Sequence, residues 1–440
     1  MHQSLPPSIH ATLELPKVAF GRGSYLHDVD GKIYIDGSGG PAVYCIGHGN
    51  DEVNAAIIEQ LGRIAHGYRF HFTSDALEEL TEIVAAQCGG SLKHMVFTSG
   101  GSEAVESCLK LALQYQSAIG QTSRRRFIAR ERSWHGNTLG ALSVSGFRER
   151  KLAFEGALLE VIRISAVNAY RPIAGATPET LAEVAAQELE DAILRHGAET
   201  IAAFIFEPVV GAAGGCVPAP DGYAKRVRTI CDRHGVVMIA DEVMCGAGRT
   251  GTWRALAHDG VTPDIMAVAK GLAAGYLPLG AAIYSEKISA AINHVPQTGH
   301  TFTAHTACCA AGVAVQKIVA RDKLVERVAA QEGKFTGLMR AALQGIRAVG
   351  DIRGRGYFQA VELVADPETK TPFPAETKLF LRIRQQAFDN GLICYPVGGN
   401  ADGITGDVVI LAPPYNASDA ELSEICEKLG HSLRQVLATL

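Results

Sequence analysis

The chain carries little net charge, no paired cysteine spacing and no long apolar run, and each absence removes a class of protein. Its 41 basic and 46 acidic residues are mixed along 440 positions for a formal charge of -5. That leaves no basic footprint for nucleic acid or an anionic membrane, so partners are expected to be small molecules or further copies of the chain. No apolar stretch approaches the roughly 20 residues needed to span a bilayer. The opening MHQSLPPSIHATLELPK lacks a basic patch followed by an apolar core, so no secretory leader is expected there. The ten cysteines form no C-x-x-C, and no H-E-x-x-H occurs among the 15 histidines. They read as reduced, buried thiols of a cytoplasmic protein, with no disulfide frame and no metal site. Adjacent Cys308 and Cys309 fall in an alanine-rich helical run and read as small packing residues. No internal repeat or low-complexity tract is present.

What is there is a chain that is 47% hydrophobic and long enough for two domains. GSYLHDVDGKIYIDGSGG reads as a hairpin turning at Asp30-Gly31, and NDEVNAAIIEQLGRIAHG as a helix capped by Asn50 or Asp51. From His94 onward, short apolar runs alternate with amphipathic stretches. HMVFT, RRFIARE, EVIRI, IAAFIFEPV, VVMIADEV, DIMAVAK and LGAAIYS read as strands, with helices between several of them. Continuous apolar strands of this kind indicate a mainly parallel sheet covered on both faces. From about Thr306 the pattern shifts to long helices and a few strands, expected to form a smaller α+β part.

Open α/β sheets bind ligands beyond the carboxyl ends of their strands. Four chemical features fall there: TSGGSEA after MVF, Glu207 after AAFIF, Asp241-Glu242 after VVMIA, and Lys270 after DIMAVA. The glycine turn exposes backbone amides at a helix start, a ready anion site. It lacks the G-x-G-x-x-G spacing, and no Gly-Lys-Ser/Thr follows, which weakens dinucleotide and P-loop readings. Lys270, read alone, either reaches solvent or sits desolvated as a nucleophile toward carbonyls. Asp241, read alone, either caps the turn CGAG or answers a buried cation; Glu242 reads as a solvated or hydrogen-bonded neighbour. Together, the phosphate cradle, the acid and the lysine are the three elements a pyridoxal-phosphate site needs.

The stretches GSYLHDVDGKIYIDG, TSGGSEAVESCLKLA, SWHGNTLGALSVSG, FEPVVGAAGG, ADEVMCGAGRTG, AVAKGLAAGYLPLGA, GHTFTAHTACCAAGVA and GDIRGRGYFQAVELV resemble the class III pyridoxal-phosphate aminotransferases in order and spacing. The resemblance runs from about Gly21 to Pro414. It implies the fold type I architecture: a large domain with a mainly parallel seven-stranded sheet flanked by helices, plus a smaller α+β domain. The expected division is 1–48 and 311–440 for the small part and 49–310 for the cofactor-binding part. By match, Lys270 resembles the Schiff-base lysine and proton carrier, and Asp241 the partner of the cofactor's ring nitrogen. Gly101 and Ser102 match phosphate ligands, Trp134 and Val243 the residues on either face of the ring, and His135 and Glu207 further cofactor contacts. Thr301 matches a threonine that reaches the phosphate from the partner subunit, implying a homodimer with shared sites, or a tetramer built from it. Tyr44 and Phe70 are expected in the substrate pocket wall by position.

Two departures bear on substrate. Where the γ-aminobutyrate and ornithine branches carry a second acid after Glu-Pro, this chain has Ala212, which argues against those activities. Where amine:pyruvate branches often carry an arginine, it has Gly403, leaving recognition of a keto-acid carboxylate unexplained. The expected reaction moves an amino group from an amine or ω-amino compound to a keto acid such as pyruvate, by ping-pong half-reactions. The alternatives are a decarboxylase, racemase or aminomutase on the same scaffold, or a nicotinamide dehydrogenase using TSGGSEA as its phosphate turn.

Overall fold

The computed structural model describes residues 15–440. At its centre lie seven strands: β1 Leu92–Thr98, β2 Arg126–Arg130, β3 Val161–Ile164, β4 Ile201–Phe206, β5 Val237–Asp241, β6 Ile265–Val268 and β7 Gly280–Ser285. They stand in the order β1-β7-β6-β5-β4-β2-β3. Strands β2 to β6 pair in parallel, and β7 runs antiparallel to both β1 and β6. Six carboxyl ends therefore share one edge of the sheet, together with the start of β7. Every residue of β4, β5, β6 and β7 is buried. Covering on both faces is why these strands read as unbroken apolar runs rather than alternating ones.

The longer helices are α1 Asp51–Arg63, α2 Asp75–Cys88, α3 Gly101–Ala118, α4 Leu181–His196 and α5 Tyr223–His234, then α6 Thr306–Arg321, α7 Leu324–Leu343, α8 Leu379–Asp389 and α9 Asp419–Leu437; α2 to α6 contribute to the clusters against the sheet, and α7 to α9 pack elsewhere. On one face Val105, Cys108 and Leu111 of α3 pack against Ile205, Ile239 and Ala267 of the sheet. On the other, Leu189 and Ile193 of α4 and Val227 and Ile230 of α5 join Phe204, Met238 and Met266. Local signals set several helix starts. Asn50 accepts from the amides of Glu52 and Val53, and Ser418 and Glu421 form a reciprocal cap at α9.

A second apolar cluster joins Ile35, Cys45 and Val53 to residues of α6 to α9 and of a four-stranded sheet. That sheet orders Val349–Arg355, Phe358–Leu363, Asp407–Leu411 and Tyr395–Gly398. The expected hairpin is present as Tyr25–Asp28 against Ile33–Asp36, extended by Val18–Arg22 on one side and Leu392–Ile393 on the other. The expected N-terminal segment 1–48 lies outside the described residues as far as residue 14. No helix among the described residues is long and apolar enough to cross a membrane.

Candidate active site

The four strand-end features meet at the carboxyl edge of the sheet, in a cleft of about 290 Å³. Its wall includes Gly101, Ser102, Trp134, His135, Glu207, Asp241, Val243 and Lys270, so eight sequence-selected residues converge on one space. Lys270 begins a short 3-10 turn directly after β6, with φ +45°. Its ammonium has no ion-pair partner within 4.0 Å among the described residues. Burial lowers its pKa to about 8, against the pull of the Asp241 and Glu207 carboxylates. Far more of this amine than of an ordinary lysine is thus uncharged near neutral pH, the form that attacks carbonyls.

Asp241 closes β5 and is 3% exposed. Its Oδ2 lies 2.6 Å from His135 Nδ1, and its Oδ1 accepts from the Val243 amide at 3.0 Å. His135 is held in turn, its backbone amide donating to Ser145 Oγ. Sequence placed His135 among the cofactor contacts without a role; its pairing with Asp241 across 106 positions is a tertiary fact that no local pattern signals. Glu207 closes the β4 loop. Its Oε1 accepts from the Trp134 amide at 2.9 Å and its Oε2 from the Gly211 amide at 2.8 Å, while burial raises its pKa. Glu207 therefore fixes the backbone that presents Trp134.

The glycine turn behaves as its residues suggest. Helix α3 opens at Gly101, and the backbone amides of Gly101 and Ser102 make no hydrogen bond to the described residues, while Ser99 N donates to Glu103. A Cβ at Gly101 would stand 2.8 Å from Val243 Cγ1, and one at Gly136 would stand 2.6 Å from Ser102 Oγ. Glycine at both positions lets backbone approach the cleft closely. Open amides at the start of an 18-residue helix fit a phosphate, and the Lys270 amine and Asp241 carboxylate stand on the same cleft.

Other expected residues lie elsewhere. Tyr44 is not in the cleft wall; its ring packs on His48 at 4.4 Å between centroids and against Gly275, and the neighbouring Val43 lines the cleft instead. Phe70 is 73% exposed and borders a separate groove with Arg69, Phe72 and Thr303. Thr301 is exposed and does not reach the cleft of its own chain. Glu242 is fully buried rather than solvated, accepting from the amides of Ala255 and Leu256.

The structure adds residues that the sequence did not single out. Leu277, Pro278 and Leu279 close the cleft after the lysine turn, and their signal was the apolar part of GYLPLG. The Arg150 guanidinium lies over the Trp134 ring at 4.5 Å, touches Tyr395 Oη at 3.3 Å, and has no carboxylate partner among the described residues. At the opposite end of β1, His94, Glu286 and His294 bring possible metal-ligand atoms within 4.8 Å of one another, a grouping that spacing did not signal.

Comparisons with known proteins identify the family. The family model described as "Aminotransferase class-III" matches residues 12–433. An uncharacterized aminotransferase of Bacillus subtilis is 39% identical over 424 residues, covering 96% of this chain and 95% of its own. The structure of an (S)-enantioselective omega-transaminase from Thermomicrobium roseum superposes with a TM-score of 0.91 at 33% identity, covering 99% of this chain and 96% of that one. An amine transaminase from an uncultivated Pseudomonas species, solved in its PLP-bound form, gives 0.89 at 32% identity, with 100% and 98% covered.

Proposed function

The chain belongs to the class III aminotransferase family, fold type I enzymes that use pyridoxal 5′-phosphate, and on that premise we propose a specific reaction and set of roles. The enzyme moves an amino group from an amine or ω-amino compound to a keto acid, with pyruvate as acceptor, in two ping-pong half-reactions. The observation that carries this reading is the lysine with a pKa lowered to about 8 in one cleft with a buried aspartate and an open helix start. The amine transaminase among the similar structures supports the choice of donor class.

When bound, the cofactor supplies an electron sink that makes the substrate's Cα–H acidic. Lys270 Nζ would hold the cofactor and, once released, would move a proton to and from the substrate's Cα. Asp241 would favour the protonated form of the cofactor's nitrogen base, and His135 holds Asp241 in place through the 2.6 Å contact. The amides of Gly101 and Ser102 would bind the phosphate. Trp134 and Val243 would pack against the cofactor, and Glu207 positions Trp134 by way of its backbone amide. Thr301, exposed and away from its own cleft, completes the phosphate site of a partner subunit, so the working form is a homodimer. The cofactor-binding part spans residues 49–310, with 1–48 and 311–440 forming the smaller part. Two largely separate apolar clusters support that division. The buried cysteines suit the reducing cytoplasm. Arg150, free of carboxylates beside Trp134, is available to the acceptor's carboxylate, the role for which Gly403 has no side chain.

The test is the visible absorption of the purified protein, followed through additions of single donors and then pyruvate, beside Lys270→Ala. A cofactor band that bleaches with one donor and returns with pyruvate is the expected result. It would identify the donor class at the same time. Consumption of a donor with no lasting loss of the band and no aminated keto product would point instead to a decarboxylase, racemase or aminomutase. A protein that stays colourless with added cofactor would overturn the site.

A further inference from the structure

Beside the cleft, the loops that carry Trp134 and follow Glu207 meet the loop before Asp407 around a second cavity of about 50 Å³. That is too little for an organic substrate, and ample for one small ion with a water. Arg132, Asn168, Arg171 and Asn400 line it, with Val210 and Gly214 behind them.

The polar groups on this wall are short of partners. Arg132 is half-buried, its guanidinium makes no hydrogen bond and no ion pair with any described residue, and its Nε is enclosed. Asn400 is 3% exposed, and neither Oδ1 nor Nδ2 has a partner among the described residues, whichever way the amide is turned. Arg171 donates through Nε to Glu362 at 2.6 Å, but its Nη2 is buried and unpaired. Asn168 commits Oδ1 to the Tyr170 amide, and its Nδ2 makes no hydrogen bond among the described residues.

Two glycines make the arrangement sterically possible. A Cβ at Gly403, where φ is +93°, would stand 2.6 Å from Arg132 Nη1, and one at Gly406 would stand 2.6 Å from Asn400 Oδ1. The missing side chain at 403 is therefore the space in which the Arg132 guanidinium lies. Nearby carboxylates, Asp402 among them, favour its charge without reaching ion-pair distance. Asp402 is occupied by the amides of Ile404 and Thr405 and by the Thr405 hydroxyl. Glu362 is shared between Arg171 and Arg353. Glu131 and Glu149 act on Arg132 only from beyond ion-pair distance.

We propose that this cavity is a binding site for a small monovalent anion of chloride size, held by Arg132, Asn400 and the free Nη2 of Arg171. Water can answer an amide, but a half-buried guanidinium with an enclosed Nε and no ion-pair partner favours negative charge beside it as well as an acceptor. Such an ion ties together the loop leading into Trp134, the loop that follows β3 and carries Arg171, and the loop preceding Asp407.

The test uses cofactor-loaded protein and two readouts. Crystals soaked in sodium bromide and measured at the bromine edge are expected to show an anomalous peak in contact with the Arg132 and Asn400 nitrogens. In solution, the melting temperature is expected to be about 2 °C higher in sodium chloride than in sodium gluconate of equal ionic strength. Arg132→Gln and Asn400→Leu should each remove that increment. A cavity holding only water at high bromide, or a chloride increment that survives both substitutions, would overturn the assignment. If Arg132→Gln does not fold, the wild-type bromide crystal and Asn400→Leu decide the question.

Discussion

Asp241 and Glu242 are neighbours at the end of one strand, both buried, and they serve opposite sides of it. Asp241 meets the cleft, where a histidine and one amide take part of its acceptor capacity. Glu242 turns away and spends both oxygens on the first amides of the short helix Ala255–Asp259, where the helix start favours an acid. Burial pushes Glu242 up to about 7. A carboxylate whose partners are all backbone holds a fold together. One whose partner is a titratable ring on a cleft wall has capacity left for a ligand.

Substitutions can break or sharpen this contrast. Asp241→Asn is expected to lower turnover by about 10²- to 10⁴-fold, because the amide cannot hold a proton on the ring nitrogen. Steady-state rates with a saturating donor check this. His135→Phe, which removes a charge-assisted hydrogen bond but no cleft-side acid, should cost about 10- to 10²-fold and weaken cofactor retention on dialysis. If it costs as much as Asp241→Asn, the histidine acts directly and not as a positioning residue.

The third measurement compares Lys270 with an ordinary lysine. The rate at which apoprotein takes up the cofactor should rise about tenfold per pH unit and level off near 8, as the amine loses its proton. An unperturbed lysine would still be gaining above 10. Glu242→Gln gives the smallest effect, a change in turnover of less than about tenfold. Its signature is in stability. The folded pKa of Glu242 exceeds its unfolded value, so between about 4.5 and 7 the unfolded chain gives up its proton first. Wild type should therefore lose stability relative to the variant as pH rises through that window, as read by denaturant melts at several pH values.

Much of the central sheet was legible because its strands are buried on both faces and leave long apolar runs that end abruptly in chemistry. IAAFIF before Glu207 and IMAV before Lys270 are both wholly buried. The Asn50 cap and the glycine turn were equally local and equally readable. Contacts set by tertiary packing were not. Tyr44 shares a loop with the cleft residue Val43, and its ring packs on His48 and on Gly275, a cleft residue 231 positions away that no pattern local to Tyr44 announces. The His135–Asp241 pair and the seating of Arg132 beside Gly403 have the same origin: each joins loops from different strands, and no periodicity within either loop reports on the other.

The strand order has a consequence for how the protein is made. β1 carries the glycine turn, yet among the described residues its only partner in the sheet is β7, where Thr98 meets Gly280, about 180 residues later. A nascent chain that has not yet delivered residue 280 has an unpaired β1 edge, whatever the rest of the sheet has done. Closing so long a loop is slow and leaves strand edges open to misassociation in the meantime. The anion cradle, among the first parts of the site to leave the ribosome, is thus among the last to be locked in place.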